Sequence, residues 1–124
     1  MPKKDLYHDT DKIKNYQTIV MRVLETYHAF LAKSTPLGAT ETRDELLFDT
    51  ERNHFQLLTM SWQQHRFVYT IAFHIDIIEE KIWIQQNNTE LDIAAELLEN
   101  GISKENIVLG FIAPQRRLST GFAA

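Results

Sequence analysis

Phe67-Val68-Tyr69-Thr70-Ile71-Ala72-Phe73-His74-Ile75-Asp76-Ile77 is the stretch on which the fold turns. Its odd positions are all large and apolar, and its even positions include Thr70, His74 and Asp76. A period of two places successive side chains on opposite faces, so the segment reads as a strand with one buried row. The odd row, from Phe67 to Ile77, is expected to face the core. Polar clusters punctuate the sequence around it: Glu51-Arg52-Asn53, Gln63-Gln64-His65 and Glu79-Glu80. Together these predict a four-stranded antiparallel meander over residues 45–86. With Glu79-Glu80 as a two-residue loop, Ile77 faces Ile82, Ile75 faces Ile84, Asp76 faces Trp83 and His74 faces Gln85. With Gln64-His65 as the preceding loop, Trp62 pairs with Phe67, Met60 with Tyr69 and Leu58 with Ile71. That register puts His54 on the core side of the second strand.

Working outward, Ile13, Tyr16, Val20, Val23, Tyr27 and Phe30 recur at spacings of three and four, and Ile19, Leu24 and Leu31 widen the stripe. An amphipathic helix is expected over 11–33, after a polar leader at 1–10. It is capped near Thr10 or Asp11 and stops before Thr35-Pro36, because proline disfavours a helical residue ahead of it. Its stripe is expected to cover one face of the sheet. Asn88 or Thr89 is expected to cap a second helix, over 89–100, that ends at a left-handed Gly101 with Ile102 folding back on Leu97. Ile107-Val108-Leu109-Gly110-Phe111 fits a buried strand or an extended connector. A basic tail, Arg116-Arg117 through Phe122, closes the sequence. The expectation is a single α+β domain over 1–124.

Composition narrows the chemistry. The chain has 124 residues and no cysteine, which excludes a disulfide framework, a thiolate zinc site and a cysteine nucleophile. Thirteen basic against seventeen acidic residues leave a net charge of −4, which opposes a broad non-specific grip on DNA. No stretch has the ~20 apolar residues of a membrane span, so a soluble cytoplasmic protein without membrane association is expected.

His74 and Asp76 leave the same face of their strand and offer two metal ligands, or a base with an orienting carboxylate. A metal site wants three or four ligands, and with His54 assigned to the core the expectation is a structural pair, with no catalytic, cofactor or metal residues. In the Asp49-to-His54 turn, Asp49 and Thr50 are expected to bond back to the backbone. Lys3, Lys4, Lys12, Lys14, Arg116 and Arg117 are the candidate phosphate contacts. The two arginines equally suit acidic groups on a neighbouring subunit. Trp62 and Trp83 suit the core or an interface better than base stacking.

Several words in one order then point to a family. Phe48-Asp49-Thr50-Glu51-Arg52-Asn53-His54-Phe55-Gln56-Leu57-Leu58, Trp62, His74-Ile75-Asp76-Ile77, Lys81-Ile82-Trp83-Ile84-Gln85, Gly101-Ile102, Ile107 to Phe111, Pro114, Arg117 and Thr120-Gly121-Phe122-Ala123 closely resemble the XisI family. The likeness spans about Ile13 to Ala124. The chain departs from the family pattern at Ser61, Glu79-Glu80, Asn87-Asn88 and Ile112, mostly turn positions where glycine is replaced. The resemblance implies a non-enzymatic accessory that controls site-specific excision of the fdxN DNA element during heterocyst differentiation in cyanobacteria. It implies action through an XisH-like protein partner, with the recombinase or DNA at the excision site as further contacts, and no catalytic residues. The candidate interaction surface is His74, Asp76, Trp83, Arg116, Arg117 and Phe122, and a homo-oligomer is expected. Direct DNA binding is the alternative function, and a small metal-dependent hydrolase or nuclease using His74, Asp76 and Asp49 is the second alternative.

Overall fold

Two-residue and four-residue turns fold the middle of the chain back on itself three times, as the polar clusters predict. In the computed structural model, which describes residues 2–124 and side chains from Thr10 onward, the strands are β1 (Ala39–Asp49), β2 (His54–Gln63), β3 (Arg66–Ile78) and β4 (Lys81–Asn87). All three junctions are antiparallel. A short fifth strand, β5 (Ile107–Leu109), joins β4 in parallel and completes a sheet of order β1-β2-β3-β4-β5. The run from Ile107 is thus a strand, and the sheet has five strands instead of four. Glu79 and Glu80 both take positive φ, 50° and 63°, which is the twist a two-residue hairpin loop needs even without glycine.

Helix α1 (Pro2–Ala32) lies across one face of this sheet. It begins well before Asp11, so residues 2–10 of the expected leader are helical. Tyr16, Ile19, Val20, Val23, Leu24 and Tyr27 are buried against Phe55, Leu57, Phe73, Ile75, Ile77, Ile82 and Ile84, whereas Phe30 at the far end is exposed. Tyr27 stacks on Phe73 with ring centroids 5.1 Å apart. Helix α2 (Ile93–Glu99) adds Ile93, Ala94 and Leu97 to the same core. Its cap is Asp92, whose carboxylate accepts from the Ala95 amide at 3.1 Å. The expected cap residues are engaged elsewhere: Thr89 donates its amide and hydroxyl to Asn87 Oδ1 in the preceding turn, and Asn88 Nδ2 donates to the Ile71 carbonyl at 3.0 Å. Gly101, at φ 94°, ends α2 in the expected left-handed conformation, with Ile102 N–H donating to the Leu97 carbonyl at 3.1 Å and Ile102 buried in the core. Among the described residues, no helix is long and apolar enough to cross a membrane.

The register agrees with the sequence reading at Trp62/Phe67, Met60/Tyr69, Leu58/Ile71, Asp76/Trp83, Ile75/Ile84 and Ile77/Ile82. Two bulges change what that register means. Leu57 pairs with Phe73 but Leu58 pairs with Ile71, so Ala72 is an extra residue in β3. Ala72 and Phe73 both join the α1-side core, and the alternation is reset there. Below the bulge, Phe73, Ile75 and Ile77 face α1. Above it, Phe67, Tyr69 and Ile71 lie with Leu58, Met60 and Trp62 on the opposite face. The single buried row from Phe67 to Ile77 is therefore two rows on two faces: Phe73 is fully buried, and Phe67 is 48% and Tyr69 57% exposed. The second bulge leaves Gln85 extra in β4, so His74 pairs with Gln86 and not with Gln85.

Candidate functional site

The face of the sheet turned away from α1 is where the residues with chemistry gather. β2 alternates regularly, sending Phe55 and Leu57 into the core and His54 and Gln56 out on this second face, in phase with Leu58, Met60 and Trp62. His54 is thus not on the core side. It lies beside Asp76, its cross-strand partner. The misplacement follows directly from Ala72: without the extra residue, every β2 side chain would be assigned to the wrong face.

His54, His74 and Asp76 form one cluster. Asp76 Oδ1 is 2.7 Å from His54 Nδ1 and 2.9 Å from His74 Nε2, and Asp76 Oδ2 accepts from Gln85 Nε2 at 3.1 Å. The Gln56 carboxamide lies 3.3 Å from His74 Nδ1. Burial alone would raise the Asp76 pKa, but the hydrogen bonds from His54, Gln85 and His74 together hold it below the ordinary carboxylate value. Among the described residues, no lysine or arginine pairs with this carboxylate. The Gln85 bulge has a structural partner: Gly110 N–H donates to the Ile84 carbonyl at 2.8 Å, and a side chain at Gly110 would collide with the Gln85 carboxamide.

Toward β1 a depression of about 510 Å³ opens beside the cluster, lined by Leu47, Phe48, Asp49, His54, Gln56 and His74. Asp49 faces it but is committed to the turn, accepting from the Glu51 and Arg52 amides at 3.0 and 2.9 Å, as expected. Those backbone donors, chiefly Arg52, keep its carboxyl ionised to lower pH than usual. The ligand proposed beside His74 and Asp76 is therefore better supplied by His54 than by Asp49.

The remaining candidate residues separate. Trp83 lies on the same face as Asp76, and the Arg117 guanidinium stacks over its ring at 5.0 Å. Arg117 also donates to the Ile112 and Gly110 carbonyls at 2.9 and 3.3 Å, so its charge is spent locally in the chain's own C-terminal 3-10 turns, Pro114–Thr120. Arg116 is exposed. Phe122 folds inward against the core beneath Lys104 and is no free aromatic tail. Lys12 is 3.7 Å from Glu80, Lys14 is exposed, and Lys3 and Lys4 lie outside the described side chains. Trp62 packs against Phe67 with tilted rings, centroids 5.2 Å apart, on the upper part of the second face, at 39% exposure, so neither tryptophan is a core residue. Phe67 and Tyr69, which the period of two assigns to the core, form with Trp62 the exposed aromatic part of this face. The signal that marks them is the Leu57-Leu58 doublet, where the apolar phase of β2 changes.

The comparisons with known proteins agree with one another. The family model for XisI protein matches residues 10–124. The crystal structure of a XisI-like protein from Anabaena variabilis superposes with a TM-score of 0.81 at 35% identity, covering 90% of this chain and 98% of that one. The structure of the fdxN element excision controlling factor XisI from Anabaena variabilis superposes with a TM-score of 0.76 at 30% identity, covering 90% and 97%. No curated protein sequence matches. A family match over nearly the whole length, carried by the same helix-on-sheet fold, places this chain in the XisI family.

Proposed function

We propose that this protein is an accessory factor that governs excision of an fdxN-type DNA element and works by holding an XisH-like protein partner, without being the catalyst itself. The observation that supports this reading is the part of the second face that the C-terminal turns over Trp83 leave open. It presents Trp62, Phe67 and Tyr69 to solvent, with Met60 and Ile71 between them, next to the polar cluster of His54, His74 and Asp76. Exposed aromatics flanked by a small set of fixed polar groups have the composition of an interface centre and its rim. The net charge of −4 favours a protein over a nucleic acid on this surface. Arg117, the most conspicuous candidate for phosphate, is already occupied by two carbonyls and the Trp83 ring.

Mixing the protein with the XisH-like protein of the same genome tests this, with light scattering as the readout. A complex of summed mass at micromolar concentration is the expected result, with affinity lost in a Phe67→Glu, Tyr69→Glu variant that keeps the far-ultraviolet spectrum of the parent. No complex, or one indifferent to both substitutions, refutes the assignment of this face. Salt-dependent affinity for duplex DNA without any partner would favour direct DNA binding instead.

A further inference from the structure

A carboxylate that is 8% exposed normally meets a lysine or arginine, because an uncompensated charge out of water is costly. Asp76 has two imidazoles instead, from two different strands, both directed at the same oxygen. We propose that His54 Nδ1, His74 Nε2 and Asp76 Oδ1 bind one divalent transition ion of the zinc class, and that this is a metal site of the protein. The three ligand atoms already lie within 4.8 Å of one another. Zinc–ligand bonds of ~2.0–2.2 Å in a tetrahedral arrangement separate neighbouring ligand atoms by ~3.3 Å. The present spacings of 2.7 and 2.9 Å therefore need to widen by about half an ångström, with the ion taking the place of the two bridging protons. His54 is the side chain free to move: it is half exposed and follows a turn that ends at Asn53 with positive φ.

The surroundings suit a ligand set more than a simple hydrogen-bonded triad. Gln85 fixes the second oxygen of Asp76, and Gln56 sits against the remaining nitrogen of His74, so two of the three ligands have an outer partner that sets their orientation. A carboxamide serves either state of His74, donating to a bare Nδ1 or, turned over, accepting from Nδ1–H when Nε2 holds the ion. Two imidazoles and one carboxylate select zinc-class ions over magnesium or calcium, which prefer oxygen alone. The depression beside His54 and His74 leaves a fourth position open to water.

Chelator-treated protein titrated with Co²⁺ and with Zn²⁺ tests the site, read by calorimetry and by the visible absorption of the cobalt form. One saturable ion per chain is expected, with cobalt bands of a low-coordinate nitrogen and oxygen site. His54→Ala is expected to abolish or weaken binding by more than the ~10–100-fold expected of Gln85→Ala, which removes an outer partner. His65→Ala, at the opposite hairpin tip, is expected to leave binding unchanged. His54 is exposed enough that its variant folds, and an unchanged circular dichroism spectrum verifies it. No saturable uptake, or uptake that His54→Ala and Gln85→Ala leave intact, overturns the proposal.

Discussion

Phe67 and Phe73 occupy the same phase of one strand, six residues apart, and a regular strand would give them the same fate. The Ala72 bulge predicts opposite outcomes for their removal. Phe73 is fully buried under α1 and stacked on Tyr27. Truncation to alanine loses the transfer energy of the ring and leaves a cavity that the close-packed helix and sheet only partly fill, a cost of ~3–5 kcal/mol. Phe67 is 48% exposed. About half of a ~1.5–3 kcal/mol transfer term is at stake there, with no enclosed cavity, and loss of its contact with Trp62 adds at most ~1 kcal/mol. The two variants should therefore differ by ~2–3 kcal/mol. With a urea dependence of ~1–3 kcal/mol per molar, the midpoints of Phe67→Ala and Phe73→Ala should lie about 1–2 M apart, Phe73→Ala lower. The measurement is urea unfolding followed by circular dichroism at one fixed protein concentration, so that any self-association affects all samples alike. Equal losses in the two variants would refute the change of face.

Three further outcomes are expected. Tyr27, whose phenol is pushed up to about 12 by burial and then by Glu96, Asp92 and Glu99, should ionise well above the ordinary phenol value of ~10 in an ultraviolet titration. Since its folded pKa is raised, the stability it contributes is complete below ~10 and is lost as pH climbs toward that higher value. Asp76→Asn should cost ~1.5–3 kcal/mol at neutral pH, because a buried charged acceptor of three hydrogen bonds becomes a neutral amide. The parent's contribution from Asp76 is present above ~3.9 and is lost as pH falls through its depressed folded value, so the gap between parent and variant should close in acid. Gly110→Ala should displace the Gln85 carboxamide from Asp76 and reproduce much of the Gln85→Ala phenotype without touching the cluster, seen as matching shifts in the histidine proton resonances of the two variants.

What was legible in the sequence was local. Hairpin registers followed from turn spacing, so six cross-strand pairs were correct, and the α1 stripe and the Gly101 stop were read from spacing and from glycine's freedom at positive φ. The bulge was not legible from β3 itself, because Ala72 fits a period-two pattern and no glycine or proline marks it. Without the extra residue at Ala72, a regular period of two turns Phe67 and Tyr69 inward and places His54 in the core, away from His74 and Asp76. β2 held the correcting information, since Phe55 and Leu57 are in one phase and Leu58, Met60 and Trp62 in the other. The roles of Arg117 and Phe122 depended on the return of the C-terminal segment to the sheet, a long-range fact that composition does not encode.

The two borders of the sheet set limits on how copies of this protein meet. β1 is an edge strand, yet it is broken by a bulge between Thr40 and Arg43, where Glu41 sits at φ 51°, and it carries Glu41, Arg43, Asp44 and Glu45 in close succession. At the other border β5 is only three residues long and is followed by the bridge from Val108 to Ala123. Kinked, charged or very short borders are poor templates for another strand. Growth of the sheet from molecule to molecule is thereby discouraged, so an exposed aromatic surface can persist on a strand-rich protein without its edges templating further strands.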